Sequence, residues 1–139
     1  MIVLDTNVLS ELMRAEPARA VVRWMTTQPG ENLYTTTITQ AEILHGVMLL
    51  PAGKRRAALE AAVEAMFSED FGGRILPFGS DAALSYARIA SSRQRAGVPM
   101  SSFDAQIAAI ALSARALLAT RNVKDFVHCG VEVVDPWQT

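Results

Sequence analysis

Met1-Ile2-Val3-Leu4-Asp5-Thr6-Asn7 opens the chain with an apolar run that stops at an acid, which two small polar residues follow. A continuous apolar stretch is typical of a central parallel strand that is covered on both faces. Such sheets bind ligands just beyond the carboxyl ends of their strands, where Asp5 is expected to lie. Asp5 or Thr6 can equally cap a helix that begins near Asn7. Residues 1–7 alone favour neither interpretation.

The composition is that of an ordered globular protein. The chain has 139 residues, enough for one domain spanning 1–139, and half of them are apolar while 19% are charged. No apolar run approaches the roughly 18 residues of a membrane span, so we expect no membrane association and a cytoplasmic location. The single Cys129 cannot form an internal disulfide and is expected to be a buried apolar side chain.

The charge balance argues against a generic binder of polyanions. Thirteen Lys and Arg residues against 14 Asp and Glu residues give a net charge of -1. If four of the 14 acids gather in one metal site, ten acids remain against 13 cations, a surplus of three positive charges. A modestly basic rim around an acidic pocket is therefore compatible with the sequence.

Apolar strands alternate with amphipathic helices along the whole chain. Strands are predicted at 1–4, 32–38, 74–78, 116–120 and 131–134, and helices at 7–16, 18–26, 39–50, 54–67, 80–95 and 101–112. Pro77 argues for an edge or terminal position in the third strand, and Trp24 is expected to pack against the core. This alternation predicts an α/β fold with a parallel sheet and helices on both sides.

Several acids follow apolar runs or open helices. Thr39-Gln40-Ala41-Glu42 and Ser101-Ser102-Phe103-Asp104 have the spacing of helix capping boxes, so each acid alone is most simply a cap. Taken together, these acids can line one sheet edge: Asp5, Glu42, Asp104, and either Asn122 or Asp125. Gathered carboxylates raise one another's pKa unless a cation offsets their charge.

The type of ligand indicates which cation such a site would take. Oxygen ligands without His or Cys select hard cations, Mg²⁺ or Mn²⁺. The two histidines, His45 and His128, have no partner at ligand spacing and are expected to be structural or on the surface.

Four segments, in this order, resemble the PIN-domain ribonucleases and, within them, the VapC toxins of bacterial toxin-antitoxin pairs. They are Ile2-Val3-Leu4-Asp5-Thr6-Asn7, Thr37-Ile38-Thr39-Gln40-Ala41-Glu42, Asp104-Ala105-Gln106-Ile107-Ala108-Ala109 and Thr120-Arg121-Asn122-Val123-Lys124-Asp125-Phe126. Residues 73–78 and the closing Pro136-Trp137 are similar to the FitB branch of that group. The resemblance runs along the whole chain.

The resemblance implies a PIN-like α/β/α sandwich with a mainly parallel sheet of four to five strands. It also implies the toxin of a type II toxin-antitoxin system, a Mg²⁺- or Mn²⁺-dependent endoribonuclease in which metal-activated water cleaves RNA. Asp5 and Asp104 would be the principal metal ligands, and Glu42 a ligand through water or the general base. The resemblance implies supporting roles for Thr6, Asn7 and Thr120, which would hold ligands or water by hydrogen bonds.

The fourth acidic position departs from the family pattern. Many relatives carry Asp where this chain has Asn122, whose amide oxygen coordinates a cation without adding charge. Asp125 compensates if residues 121–126 form a helical turn, and it is then a further catalytic acid. We therefore expect one firmly held metal ion and a second that is weak or arrives with RNA.

Partners follow partly from charge and partly from the resemblance. Phosphate contacts are expected among the cations of exposed helix ends and turns, namely Arg121, Lys54, Arg55, Arg56, Arg88, Arg93 and Arg95. The resemblance implies a homodimer and a VapB-type antitoxin, joined in a toxin-antitoxin hetero-oligomer. An antitoxin Arg that enters the acidic pocket is one physical route to inhibition.

Two alternatives remain open at this point. The first is a PIN-like module that binds an antitoxin or nucleic acid but is catalytically weak or inactive. Asn122 favours this alternative, because it replaces an acid of the family pattern. The second is a receiver-like phosphoacceptor centred on Asp5. It is less favoured because such sites have paired acids early in the chain and a Lys after a late strand, where this chain has Arg121.

Overall fold

The computed structural model describes every residue from Met1 to Thr139 and contains five strands and six α-helices. The strands are β1 (Ile2–Leu4), β2 (Leu33–Thr36), β3 (Ile75–Leu76), β4 (Leu117–Ala119) and β5 (Val133–Val134). The helices are α1 (Thr6–Leu12), α2 (Arg19–Thr26), α3 (Thr37–Met48), α4 (Lys54–Ala65), α5 (Ser80–Arg95) and α6 (Ser102–Ser113). Short helical turns occupy Gly30–Asn32, Met66–Asp70 and Val123–Phe126.

The five strands form one parallel sheet in the order β3-β2-β1-β4-β5. The central strand is β1, in which Ile2 pairs with Leu33 on one side and with Leu117 on the other. β3 lies at an edge, as Pro77 predicted. The sheet confirms the expected parallel α/β fold.

Helices cover both faces of the sheet, and β1 shows how. Val3 and Leu4 are both fully buried, but they belong to different apolar clusters, because successive side chains of a strand point to opposite faces. The Val3 cluster takes its other members mainly from α5, α6 and β4, and the Leu4 cluster from α1 to α4. Trp24 is buried in the latter, which confirms its packing role. The expected α/β/α sandwich is therefore confirmed.

The start of α3 differs from the prediction. The helix begins at Thr37, and Thr36 is its N-cap, because the Thr36 hydroxyl accepts the backbone N–H of Thr39 at 3.0 Å. The capping box predicted at Thr39–Glu42 is therefore wrong. Since Glu42 lies in the second turn, its carboxylate is not engaged in capping.

The start of α6 matches the prediction more closely. Ser101 is the N-cap, and its hydroxyl accepts the backbone N–H of Asp104 at 3.2 Å. Asp104 therefore lies in the first turn, where a negative charge is stabilised by the helix dipole. None of the helices has the length and apolar character that a membrane crossing requires.

Candidate active site

The carboxyl ends of β1 and β4 meet the N-terminal halves of α1, α3 and α6 around a cleft of about 350 Å³. No apolar side chain lines this acidic cleft, which is formed by Asp5, Thr6, Asn7, Ser10, Glu42, Asp104 and Asn122. The parallel sheet explains the arrangement, because all strand carboxyl ends lie at one edge. The structure thus brings together residues that are as many as 117 positions apart in the chain.

Asp5 is the most firmly held acid of the acidic cleft. The residue is only 4% exposed. Its Oδ1 accepts the backbone N–H of Thr6 at 2.8 Å, which also caps α1. Its Oδ2 accepts the Thr120 hydroxyl at 2.7 Å and the Asn7 amide at 3.3 Å. Asp5 can therefore cap α1 and also line the cleft. Its Oδ1 makes the capping bond, and its Oδ2 makes the bonds to Thr120 and Asn7.

Thr120 and Asn7 join the end of β1 to the end of β4. The Thr120 hydroxyl donates to Asp5 and accepts from the Asn7 amide at 3.1 Å and the Asn122 N–H at 3.2 Å. A hydroxyl has one proton and two acceptor positions, so Thr120 is fully used. Asn7 Oδ1 accepts the backbone N–H of Arg121 at 3.2 Å. These bonds fix the orientation of the Asp5 carboxylate.

Glu42 is held by a separate chain of hydroxyls. Its Oε1 accepts the Thr6 hydroxyl at 2.9 Å, and the Thr6 oxygen lies 3.0 Å from the Thr39 hydroxyl oxygen. Because Thr6 has donated its only proton to Glu42, the fully buried Thr39 donates to Thr6. Oε2 of Glu42 remains free of protein partners.

Two residues at this site, Thr39 and Ser10, are not among the site residues that the sequence predicts. The capping-box pattern accounts for Thr39 without any contact to Thr6. Ser10 lies four residues after Thr6 on α1 and therefore on the same helix face. That spacing was a usable signal for Ser10.

Burial and mutual repulsion both act on the acids. Burial raises the pKa of Asp5 to about 6, although the hydrogen bonds from Thr120 and Thr6 oppose this, and the charges of Asp104 and Glu42 add to the rise. Burial also raises the pKa of Asp104, where the Ser101 hydroxyl opposes the rise and Asp125 increases it. These directions are those expected for acids brought together without a cation.

No protein cation neutralises the acidic cleft. The two ion pairs of the chain are Arg14 with Glu11 and Arg56 with Glu60, and neither involves an acid of the cleft. No ion pair within the chain therefore compensates the charge of these carboxylates.

The donor set fits a hard divalent cation in its chemistry. The cleft offers carboxylate oxygens from Asp5, Glu42 and Asp104 and an amide oxygen from Asn122, with no nitrogen or sulfur ligand. No group of three His, Cys, Asp or Glu side chains is already gathered at metal-holding distance. The fit therefore rests on ligand type and uncompensated charge, and an ion that keeps several waters suits such an open site.

Asn122 and Asp125, the two candidates for a fourth ligand, lie at different places relative to the acidic cleft. Asn122 lines the acidic cleft, whereas Asp125 is outside its lining and acts on Asp104 through charge. Both lie around the turn Val123–Phe126, where the Asp125 N–H donates to the Asn122 carbonyl at 3.0 Å. The single helical turn expected at residues 121–126 is confirmed at these residues.

The candidate phosphate-binding cations are dispersed. Arg121 is exposed and lies between Thr120 and Asn122 at the rim of the acidic cleft. Lys54, Arg55 and Arg56 line a different depression around the start of α4. Arg93 is buried and donates to the carbonyls of Val98 and Val127. The expectation of a phosphate contact is wrong for Arg93, because its guanidinium is used to hold the chain together.

The remaining expectations concern isolated residues. Cys129 is buried and unpaired, as predicted. His45 and His128 were expected to be structural or on the surface, and both are exposed.

Comparison with known proteins relates this chain to a family. The profile described as PIN domain matches residues 2–129. The VapC ribonuclease Y4jK of Sinorhizobium fredii is 41% identical over 138 residues, covering 99% of each chain. The toxin FitB of Neisseria gonorrhoeae is 39% identical over 137 residues, again covering 99% of each chain. A chain in the crystal structure of FitAcB from Neisseria gonorrhoeae superposes with a TM-score of 0.94 at 39% identity, covering 100% of both chains.

Proposed function

The chain belongs to the PIN-domain family, and from that premise we propose that it is a metal-dependent endoribonuclease, the toxin of a type II toxin-antitoxin pair. Residues 1–139 would form a single PIN domain. The observation that carries the proposal is the acidic cleft, where carboxylates face one another and none forms an ion pair. The names of the relatives, a VapC ribonuclease and a toxin, support the same activity.

The proposed metal ion is Mg²⁺ or Mn²⁺. Asp5 and Asp104 would be its carboxylate ligands, and Asn122 would add an amide oxygen without charge. When bound, such an ion supplies positive charge that polarises water and neutralises a phosphate. Asn7 and Thr120 would position the Asp5 carboxylate, because they donate two of its three hydrogen bonds. Asp125 would act on Asp104 through its charge.

Glu42 is proposed as the general base. Thr6 occupies Oε1, so Oε2 is the atom available to accept a proton from the attacking water. The oxygen of that water would form a bond to phosphorus while the bond from phosphorus to the ribose O3′ breaks. The products would be a 5′-phosphate and a 3′-hydroxyl.

The partners are part of the same proposal. RNA is the proposed substrate, with Arg121, Lys54, Arg55 and Arg56 as candidate phosphate contacts. A VapB-type antitoxin is the proposed inhibitor, and its route would be an Arg that enters the acidic cleft in place of the cation. We further propose that the toxin is a homodimer.

One observation favours a second candidate function. Because Asn122 brings no charge and no three acids are gathered at metal-holding distance, a catalytically weak module that binds an antitoxin or nucleic acid is the alternative. The phosphoacceptor hypothesis loses its basis, since the chain belongs to the PIN-domain family.

One experiment tests the proposed function and its alternative. Mixed RNA is incubated with the wild-type protein and with Asp5→Asn, each with Mg²⁺, with Mn²⁺ or with EDTA. We expect cleavage by the wild type alone, abolished by EDTA and restored by excess metal. Wild-type protein that leaves every RNA intact with both metals, yet still binds RNA or antitoxin, would establish the inactive module instead.

A further inference from the structure

The segment that follows β5 ends at the same sheet edge as the acidic cleft. Because β5 runs parallel to β4, Asp135-Pro136-Trp137 emerges beside Thr120-Arg121-Asn122. Asp135 Oδ1 accepts the Trp137 N–H at 2.9 Å, and the Asp135 carbonyl accepts the Gln138 N–H at 3.1 Å. Pro136 is buried, and Trp137 packs against the Leu4 cluster. This closing turn therefore holds the indole in a defined place.

The indole holds one arginine of the cleft rim. The guanidinium carbon of Arg121 lies 5.0 Å from the centre of the Trp137 ring, a cation–π contact. The Arg121 side chain makes no hydrogen bond and no ion pair, although the residue is exposed. The nearby Glu11 is already bound to Arg14 and to the Ala18 N–H. The five N–H donors of Arg121 are thus free of protein acceptors.

The backbone of Arg121 is tied to the acidic cleft. Its N–H donates to Asn7 Oδ1, and the Asn7 amide donates to Asp5 Oδ2. Lys54, Arg55 and Arg56 have no such connection, because they line a separate depression. Arg121 is therefore the cation whose backbone the hydrogen-bond network holds beside the cleft.

Geometry decides which ligand this pair can take. A cation–π contact uses the flat face of the guanidinium, whereas two-point recognition of phosphate uses its edge, so both can form together. Arg121 lies over the indole and the partly buried indole packs on the core, so both contacts compete with the stacking of an RNA base on the ring. The stacked pair therefore suits a phosphate group.

We propose that Trp137 is a positioning residue for RNA, which holds the Arg121 guanidinium at the rim of the acidic cleft so that Arg121 binds a backbone phosphate of the substrate. The inference rests on the proposed ribonuclease function. An unrestrained Arg loses side-chain entropy when it is fixed on a phosphate, and the ring reduces that loss because it holds the side chain before RNA arrives. The pair also places one positive charge where RNA approaches a negative pocket.

The test measures RNA binding separately from cleavage. Dissociation constants of a fluorescein-labelled RNA oligonucleotide are measured by anisotropy in the Asp5→Asn background, which is not expected to cleave it. KM and kcat are measured in the otherwise wild-type protein with saturating Mn²⁺. The added variants are Trp137→Leu, Trp137→Phe, Arg121→Gln and the double variant Trp137→Leu/Arg121→Gln.

We expect Trp137→Leu and Arg121→Gln each to raise the dissociation constant and KM by about five- to tenfold, a typical value for one phosphate contact, with kcat changed less than twofold. Trp137→Phe keeps a ring and should restore both constants to within twofold. The double variant should be no weaker than Arg121→Gln alone, because the ring acts through Arg121. The salt dependence of binding should fall by about one phosphate contact in both single variants.

Arg115→Gln is the matched control. It removes the same charge from an exposed residue that precedes β4, at the opposite edge of the sheet. This variant should bind RNA like the Asp5→Asn parent. Thermal midpoints distinguish a folding defect of Trp137→Leu from a loss of positioning. If Trp137→Leu unfolds, the exposed Arg121→Gln still tests the inference, because unchanged RNA affinity in that variant would overturn it.

Three outcomes would overturn the inference. They are unchanged RNA affinity in Arg121→Gln, additive losses in the double variant, or, when the same variants are also titrated with a fluorescein-labelled Glu-rich peptide, a loss of affinity for the peptide but not for RNA. The last result would assign the pair to a protein partner. If the wild-type protein cleaves no RNA and the binding losses still appear, the proposed function fails and the inference about Trp137 stands.

Discussion

Asp5 and Asp104 face the same cleft, but the protein holds them in different ways. Asp5 ends a central strand, is almost fully buried and accepts three hydrogen bonds. Asp104 lies in the first turn of α6 and is half-buried, and its one hydrogen-bonding side-chain partner is Ser101. The strand-borne side of the site, Asp5 with Asn7 and Thr120, is therefore oriented by several protein hydrogen bonds, whereas the acids of the helix-borne side, Glu42 and Asp104, are held by fewer.

Loss of either carboxylate is the largest effect expected. Asp5→Asn and Asp104→Asn should each reduce RNA cleavage on the order of 1,000-fold, because each removes a proposed metal ligand worth several kcal/mol in the transition state. Initial rates with excess Mn²⁺ measure this. Asp81→Asn, which changes an exposed acid on α5, is the control. Cleavage within tenfold of wild type in either cleft variant would remove that acid from the proposed mechanism.

The pH dependence of stability should separate the two acids. The pKa of Asp5 rises from its ordinary value of 3.8 to about 6 in the folded protein. Between these values the folded state binds more protons than the unfolded state, so stability falls as the pH rises from about 4 to 6. A difference of this size corresponds to at most about 3 kcal/mol at neutral pH. Asp5→Asn removes this cost.

Urea unfolding in EDTA at pH 4 and pH 7.5 measures that difference. Between pH 4 and pH 7.5 the wild type should lose up to about 3 kcal/mol of stability relative to Asp5→Asn, whose amide does not titrate. Asp104→Asn should show the same direction with a smaller change, because Asp104 is half-buried. If both variants gave equal changes, the contrast between the two sides of the cleft would be wrong.

The strand-borne side was also the side that the sequence predicted well. An apolar run that stops at Asp5 is a local pattern, and burial of Val3 and Leu4 on opposite faces follows from it. Pro77 identified the edge strand for a reason equally local, since proline cannot donate to a neighbouring strand.

The helix-borne side depended on contacts that no local pattern contains. In Thr35-Thr36-Thr37 every residue is β-branched and carries a hydroxyl, so the sequence could not decide where the strand ended. Pairing of Thr36 with Leu76 decided it and made Thr36 the cap. Arg93 was misassigned for a similar reason, because one of the carbonyls it binds belongs to the distant Val127.

Removal of the Thr120 or the Thr6 hydroxyl should reduce cleavage less than loss of a carboxylate does, and the two removals should differ in size. Thr120→Val removes the donor to Asp5 and leaves the Asn122 N–H without its acceptor. We expect a 10- to 100-fold loss of cleavage, roughly that of losing a residue that orients a metal ligand, and a loss of about 1–3 kcal/mol in stability. Thr6→Val should reduce cleavage and stability less than Thr120→Val does. It removes the hydroxyl bond to Glu42, whereas the Thr6 side chain makes no hydrogen bond to Asp5.

Cleavage rates and urea unfolding of Thr120→Val, Thr120→Ser, Thr6→Val and Thr6→Ser provide the measurement. Each Ser variant keeps the hydroxyl and should recover most of the lost activity. A larger loss in Thr6→Val than in Thr120→Val would reverse the order of the two sides.

The smallest effect is expected where the two sides meet, at Asn122. Asn122→Asp adds a fourth carboxylate to the lining of the acidic cleft, and its N–H can keep the bond to Thr120. Added ligand charge strengthens the binding of hard cations, so the Mg²⁺ concentration for half-maximal cleavage should fall about three- to tenfold.

The same carboxylate should lower the free energy of unfolding of the metal-free protein by about 0.5–1 kcal/mol, because it adds a like charge beside Asp5 and Asp104. A residue at the metal should therefore change the two measurements in opposite directions: Asn122→Asp should need less Mg²⁺ for cleavage and should unfold more easily in EDTA. Asp125→Asn is the matched comparison, since Asp125 lies outside the cleft lining and affects Asp104 through charge alone. An Asn122→Asp protein with the wild-type Mg²⁺ requirement would place the fourth ligand elsewhere, and a raised requirement in Asp125→Asn would then identify Asp125 as that ligand.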